Sequence, residues 1–262
     1  MDICVVHLVW VEAPESALHS FLESYSRRDA GAQHRLLVVW NGFQDPDRFA
    51  AVRRIAAAVD HDDLELGARE LDLTAYRLAA DACEEESVCF VNSYSTILHD
   101  GWLAALASNL AQPDVGLVGA TGSYESPLSG ARLPLRLLRA GRYPPFPNPH
   151  IRTNAFMLRR ELMLSLSWPR ATTKRSAWEL ESGVNGLTRQ VQARGLEALV
   201  VGRDRYGYAP ERWRESGTFR VEGQPNLLIS DNRTRQYDEA APRLRRKLER
   251  LAWGSGERPT GP

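Results

Sequence analysis

The chain has 262 residues, enough for one large α/β domain or two small ones with a substantial core. Its 33 Lys and Arg residues balance 33 Asp and Glu, so no global field draws it to nucleic acid, and an anionic ligand must be held by a local cluster. Cys4, Cys83 and Cys89 have no metal-ligand spacing and read as small apolar residues in a reducing compartment.

The apolar run from Ile3 to Val11 follows Asp2 without a basic leader and is too short to span a bilayer; it reads as a buried strand of a cytoplasmic protein. "PESALHSFLESYSRR" places Leu18, Phe21, Leu22 and Tyr25 on one helical stripe, with Pro14 near its start. "RLLVVWNG" is a second strand ending in a turn, and "DPDRFAAVRRIAAAV" a second helix with Phe49, Val52, Ala56 and Val59 on one face. A short strand near Leu64 to Leu66, a helix from about Thr74 to Cys83, the strand "SVCFVN", the helix "DGWLAALASNL" and the strand "VGLVGAT" continue the alternation. Repeated βα units imply a mostly parallel sheet with right-handed crossovers, whose ligands bind beyond the carboxyl ends of the strands, near Trp40, Asn41, Asn92 and Ser93.

Six prolines between Pro127 and Pro149 exclude a long helix or a central strand, so 122–150 reads as an extended loop. "IRTNAFMLRRELMLSL" reads as strand into helix, "ESGVNGLTRQVQARG" as a helix opened by Glu181 and ending at Gly195, and "LEALVVG" as a further strand. The segment holding Tyr208, Trp213, Arg220, Gln224, Asn226, Asp231, Asn232 and Arg233 has no regular period and suits a cover over a donor or a sugar ring. Residues 241–262 read as a basic helix, "PRLRRKLERLAW", and a frayed tail appended to a domain of residues 1–240. Its charge allows contact with anionic lipid at the inner face of a membrane, while Leu244, Leu248 and Leu251 suit packing on the domain.

No GxGxxG follows the first strand, and there is no GxxxxGK[ST] loop, GxSxG elbow or HExxH pair. What remains is polar residues around the end of the fourth strand: Asp72, Arg77, Asn92, Ser93 and Asp100. Here the sequence resembles the family-2 glycosyltransferases, in which a helix precedes a strand ending in Asp-x-Asp, then a turn, an apolar "WL" and a helix. "VVWNGFQD" is similar to the family's second strand end, "RTNAFMLRRELML" to its acceptor-side strand and helix, and "WELESGVNGLTRQVQARGLEALVVG" to its acidic motif, the helix behind it and the final strand. Order and spacing agree over roughly residues 3–202.

The resemblance implies a GT-A fold, the α/β nucleotide-diphospho-sugar transferase architecture with a mostly parallel central sheet flanked by helices. It also implies a hexosyltransferase-like enzyme of bacterial glycan biosynthesis, moving a sugar from a nucleotide-sugar donor to a glycan or other hydroxyl acceptor. Trp10, Asn41, Asp72, Arg77, Asn92, Ser93, Tyr94, Lys174 and Arg175 then fall on the donor side, and Arg152, Thr153, Asn154 and Trp213 on the acceptor side. A carboxylate takes the acceptor proton, assigned to Glu181 with Glu179 as second candidate.

The chain departs from the family at Asn92-Ser93-Tyr94, where Asp-x-Asp would hold a divalent cation through hard anionic oxygens. Either Mg²⁺ or Mn²⁺ is held weakly, with His150 as a candidate ligand, or the diphosphate is met by Arg152, Lys174 and Arg175. The same departure fits a degenerate domain that binds nucleotide-sugar or a protein partner without turnover. A sugar-1-phosphate nucleotidyltransferase would want a Gly-rich, Arg-bearing loop after the first strand, which "VWVEAPES" does not offer. The sugar, the nucleotide, inversion versus retention and the oligomeric state are open in the sequence.

Overall fold

A computed structural model describes residues 2–129, 134, 139–168 and 173–255. The first half follows the βα alternation: β1 (Ile3–Trp10), α1 (Glu15–Arg27), β2 (Arg35–Asn41), α2 (Pro46–Ala56), β3 (Asp62–Leu66), α3 (Asp72–Ala82), β4 (Ser87–Val91), β5 (Thr96–Ile97), α4 (Trp102–Leu110) and β6 (Val115–Gly119). After β7 (Gly122–Ser123) come β8 (His150–Ile151), β9 (Ala155–Arg159), α5 (Arg160–Ser165), α6 (Lys174–Ser182), α7 (Leu187–Gln192), β10 (Glu197–Val201) and β11 (Gly207–Tyr208). A 3₁₀ turn (Pro210–Ser216), β12 (Ile229–Ser230), α8 (Asn232–Glu239) and α9 (Pro242–Trp253) close the chain.

Eight strands form the central sheet in the order β11-β10-β6-β9-β4-β1-β2-β3. The pairs β1/β2, β1/β4, β2/β3 and β6/β10 are parallel; β9 is antiparallel to both β4 and β6, and β11 to β10. The reversal at β9 has a covalent cause. A parallel return needs a crossover, usually helical, and the proline-rich excursion after β6 instead brings the chain back from the opposite edge. At its base β7 and β8 pair antiparallel, Gly122 opposite Ile151 and Ser123 opposite His150.

The sheet is apolar on both faces, as βα layering requires. Along β1, Cys4, Val6 and Leu8 enter one core with Phe90, Phe156 and Trp213, while Ile3, Val5 and Val9 enter the other with Phe21, Trp40 and Trp102. Trp10 lies opposite Asn41 and His7 opposite Val91, so β1, β2 and β4 end along one edge, as their parallel arrangement predicts. Helix α9 is fastened to the domain: Ala252 and Trp253 join the core, and Trp253 Nε1 donates to the Phe219 carbonyl at 2.8 Å. No described helix is long and apolar enough to cross a membrane.

Two helices stand where the sequence suggests one around Glu181. Thr173 opens α6 with a capping box, its hydroxyl accepting from Ser176 N while Ser176 answers the cap. The helix stops at Gly183, where a Cβ would meet the Glu179 carbonyl at 2.4 Å, and α7 begins after Gly186. Glu181 therefore lies in the last turn of α6 rather than opening a helix, so the stabilisation expected from a helix N-terminus does not apply.

His7 is fully buried, stacked on Phe21 with centroids 3.5 Å apart, and neither ring nitrogen has a hydrogen-bond partner; the Val91 backbone lies close but outside bonding geometry. Burial pushes its pKa from the ordinary 6.5 to about 3. The unfolded chain thus binds a proton here that the folded chain refuses. His7 contributes stability above pH 6.5 that is lost as pH falls toward 3, at about 1.4 kcal/mol per pH unit. Urea midpoints between pH 7.5 and 5 should show this slope, and His7→Leu should flatten it by one proton; an unchanged slope would show that His7 takes no part.

Candidate active site

The turn after β4 uses up its own polar atoms. Asn92 Oδ1 accepts from Tyr94 N at 3.0 Å and from Ser95 Oγ at 2.9 Å. Ser93 Oγ donates to the Leu8 carbonyl at 2.6 Å and accepts from Trp10 N at 3.1 Å. Of these three residues, only Tyr94 has a side-chain oxygen without a hydrogen bond among the described residues. Burial raises the phenol's pKa, with Asp72 and Glu12 adding to the rise, so it is a neutral hydrogen-bond donor.

Asn41 is likewise committed. It is fully buried, its Nδ2 donates to the Glu70 carbonyl at 2.7 Å and its Oδ1 accepts from Glu70 N at 2.8 Å. These bonds fix the approach to α3 and occupy both side-chain atoms of a residue that the sequence places on the donor side. Trp10 is half-buried and carries Arg69 over its ring at 5.2 Å, Arg69 being paired in turn with Glu12. Arg77 is half-buried on α3, and its Nε is an enclosed atom with no hydrogen-bond partner.

Asp72 begins α3 and is exposed to solvent. Desolvation raises its carboxyl above the ordinary aspartate value, and the charge of Glu181 adds to this. Glu181 is half-buried and aimed by one residue: Thr153 N and Thr153 Oγ1 both donate to Oε1, at 2.9 and 3.0 Å. Its Oε2 makes no hydrogen bond among the described residues. Glu179, two positions away, points about 200° around the helix and is paired with Arg142 at 3.1 Å and Arg175 at 3.4 Å. Glu179 and Arg175, read in the sequence as alternative base and diphosphate ligand, pair with each other in a surface ion network. The Lys174 side chain lies outside the described residues.

His150 is buried beside Glu181. Its Nδ1 lies 2.8 Å from the Asn148 carbonyl, the geometry of an Nδ1–H donor, which leaves the lone pair on Nε2. Burial lowers its pKa; Glu181, the Asn148 carbonyl and Glu125 pull the other way, and Arg152 adds to the lowering. Asn154 is a buried joint whose Oδ1 accepts from Thr121 Oγ1 at 2.6 Å and whose carbonyl accepts from Asn92 N at 2.8 Å. Arg152 pairs with buried Asp231 at 2.6 Å and sits over the Phe219 ring at 4.1 Å. Trp213 does not face an acceptor: it is fully buried in the core, its Nε1 donating to the Tyr208 carbonyl at 2.9 Å. Arg235, which sequence reasoning passed over, donates from Nη2 to the Tyr94 carbonyl at 3.0 Å, placing a guanidinium at the end of β4.

The turn Asn92-Ser93-Tyr94 supplies no carboxylate for a divalent cation. Among the described residues the His, Cys, Asp and Glu side chains that converge closely enough to ligate one are Cys4, Cys83 and Glu85, at the opposite edge of the sheet. There Glu85 is already held by Arg35, which lowers its pKa to about 2.

No protein-family model and no curated protein matches the chain. Among solved structures it is similar to a mannosyltransferase from Pyrobaculum calidifontis in complex with GDP-Man and Mn²⁺. That likeness has a TM-score of 0.53 at 16% identity, over 95% of this chain and 68% of that one. A glucosyl-3-phosphoglycerate synthase from Mycobacterium tuberculosis, in complex with Mn²⁺, UDP and glucosyl-3-phosphoglycerate, is similar at 20% identity with a TM-score of 0.45. That match covers 64% of this chain and 60% of the synthase, less than two thirds of its length. The first likeness fixes the fold as GT-A; what the fold does here must be argued from the site.

Proposed function

We propose that this chain is a glycosyltransferase that moves a sugar from a nucleotide-sugar donor to a hydroxyl acceptor, with Glu181 as general base. The observation that supports the reading is the anchoring of Glu181: Thr153 holds Oε1 by two hydrogen bonds, and Oε2 has no hydrogen-bond partner among the described residues. Asp72, at the N-terminus of α3, lies within electrostatic reach of Glu181. The acceptor oxygen attacks the anomeric carbon as its proton passes to Oε2, and the bond from that carbon to the diphosphate oxygen breaks. His150, held as the neutral imidazole at pH 7, flanks Glu181 without adding a positive charge that would weaken the base.

Leaving-group charge needs compensation, and the turn after β4 offers no carboxylate to hold a metal for it. Arg235 on the Tyr94 carbonyl supports a guanidinium in that role. We therefore expect turnover in EDTA to stay within about threefold of that with Mn²⁺. Complete loss in EDTA, restored by Mn²⁺, would show that other ligands rebuild a metal site. A thermal-shift screen of UDP-, GDP- and dTDP-sugars tests donor binding, since a ligand at a hundred times its Kd adds about 2.7 kcal/mol of stability.

The self-satisfied turn also favours a second reading, a domain that binds nucleotide-sugar without turnover; donor binding with no transfer or donor hydrolysis would select it. We place the protein in the cytoplasm. Helix α9 supports contact with anionic lipid, because Leu244, Arg243, Arg246 and Lys247 are exposed while Leu248 and Trp253 are buried and Arg245 is held by the Tyr237 and Asp238 carbonyls.

A further inference from the structure

Close to Glu181, whose anchor Thr153 follows Arg152, two arginines lie over one aromatic ring and a third is within electrostatic reach. Arg152 lies over Phe219 at 4.1 Å and Arg220 at 4.8 Å, and the charges of Arg152 and Arg233 both act on Arg220. Arg220 is only 6% exposed; desolvation lowers its pKa, partly offset by Glu125, and its Nε has no hydrogen-bond partner among the described residues. Its backbone is held at φ 45°, in the left-handed region, by Gln224, whose Oε1 accepts from Arg220 N at 3.0 Å. The fold thus accepts both backbone strain and a buried guanidinium with unused donor capacity.

The ion partner of Arg220 is Glu125, 3.1 Å away, whose side chain is 40% exposed. Arg152 is fixed by Asp231, and Arg233 is exposed with no ion pair among the described residues. The cluster reaches Glu181 through His150, which feels Glu181, Glu125 and Arg152 together.

We infer that Arg220, with Arg152 and Arg233, forms a subsite for an anionic group carried by the acceptor, a phosphate or carboxylate, and that Glu125 occupies it in the free protein. The inference rests on the transferase reading and names the class of its acceptor: a hydroxyl compound bearing a negative charge. A guanidinium fork with an unpartnered Nε suits a planar or tetrahedral oxyanion. The position beside Glu181, rather than at Tyr94 where Arg235 lies, assigns the anion to the acceptor and not to the donor diphosphate.

Calorimetric titration of the full chain with inorganic phosphate, alone and with saturating UDP or GDP, tests this. Phosphate should bind and be weakened about tenfold by Arg220→Met and roughly threefold by Arg233→Ala. Glu125→Gln should tighten it by about threefold, since it removes the competing carboxylate; a purely structural ion pair would give no such gain. Phosphate affinity unchanged in all three variants, or phosphate fully competitive with the nucleotides, would overturn the proposal, the latter by moving the arginines to the donor diphosphate. Should Arg220→Met fail to fold, the exposed Arg233 and half-exposed Glu125 carry the test. If neither nucleotide binds while phosphate still tracks the arginines, the transferase reading fails and the anion subsite stands.

Discussion

Glu181→Gln is expected to fold as the wild type does, to bind nucleotide-sugar within a few-fold of wild type, and to lose turnover by about two to four orders of magnitude. The substitution keeps the shape of the side chain and the acceptor atom for both Thr153 hydrogen bonds, and removes only the basic oxygen. Glu179→Gln should change turnover by less than about threefold, because that residue faces Arg142 and Arg175 on another side of the helix. Thr153→Val gives the second check: with the hydroxyl donor gone, Glu181 keeps one of its two anchors, and kcat should fall by about tenfold with donor affinity unchanged. Full activity in Glu181→Gln would move the base elsewhere, and Asp72 is the carboxylate coupled to the same cleft.

Trp213→Ala should lower stability by about 3–5 kcal/mol and Tm by roughly 10 °C, without a matching loss of acceptor binding. The indole is fully buried, lies near Tyr124 with ring centroids 6.3 Å apart, and covers Gly122 so closely that a Cβ there would meet its Cε3 at 2.7 Å. Truncation leaves a cavity and abandons the Tyr208 carbonyl that Nε1 satisfies. An unshifted melting curve together with weakened acceptor binding would restore the sugar-stacking role that the sequence suggested.

Much of the frame was legible in the residues alone. The strand and helix alternation from Ile3 to Gly119, and the edge where Asn41 and Asn92 end, follow from apolar periods of two and 3.6, which are local properties of the chain. The prolines after Pro127 marked the excursion, although nothing local said that it returns β9 against its neighbours. The acidic motif was found, but the turn of helix that carries it was misread, because Thr173 starts α6 upstream and Gly183 ends it.

By itself, the sequence determined the layering of this protein and the strand ends along which a ligand site can form, since backbone preference and apolar pattern are written within a few residues. Only the tertiary structure decided which polar side chains remain available there. Asn41 is used by Glu70 across 29 positions, Ser93 by Leu8 across 85, and Arg152 by Asp231 across 79, whereas Glu181 keeps a free oxygen. A hydrogen bond joins whatever the fold brings within about 3 Å, and partners so distant in sequence leave no local mark of the choice.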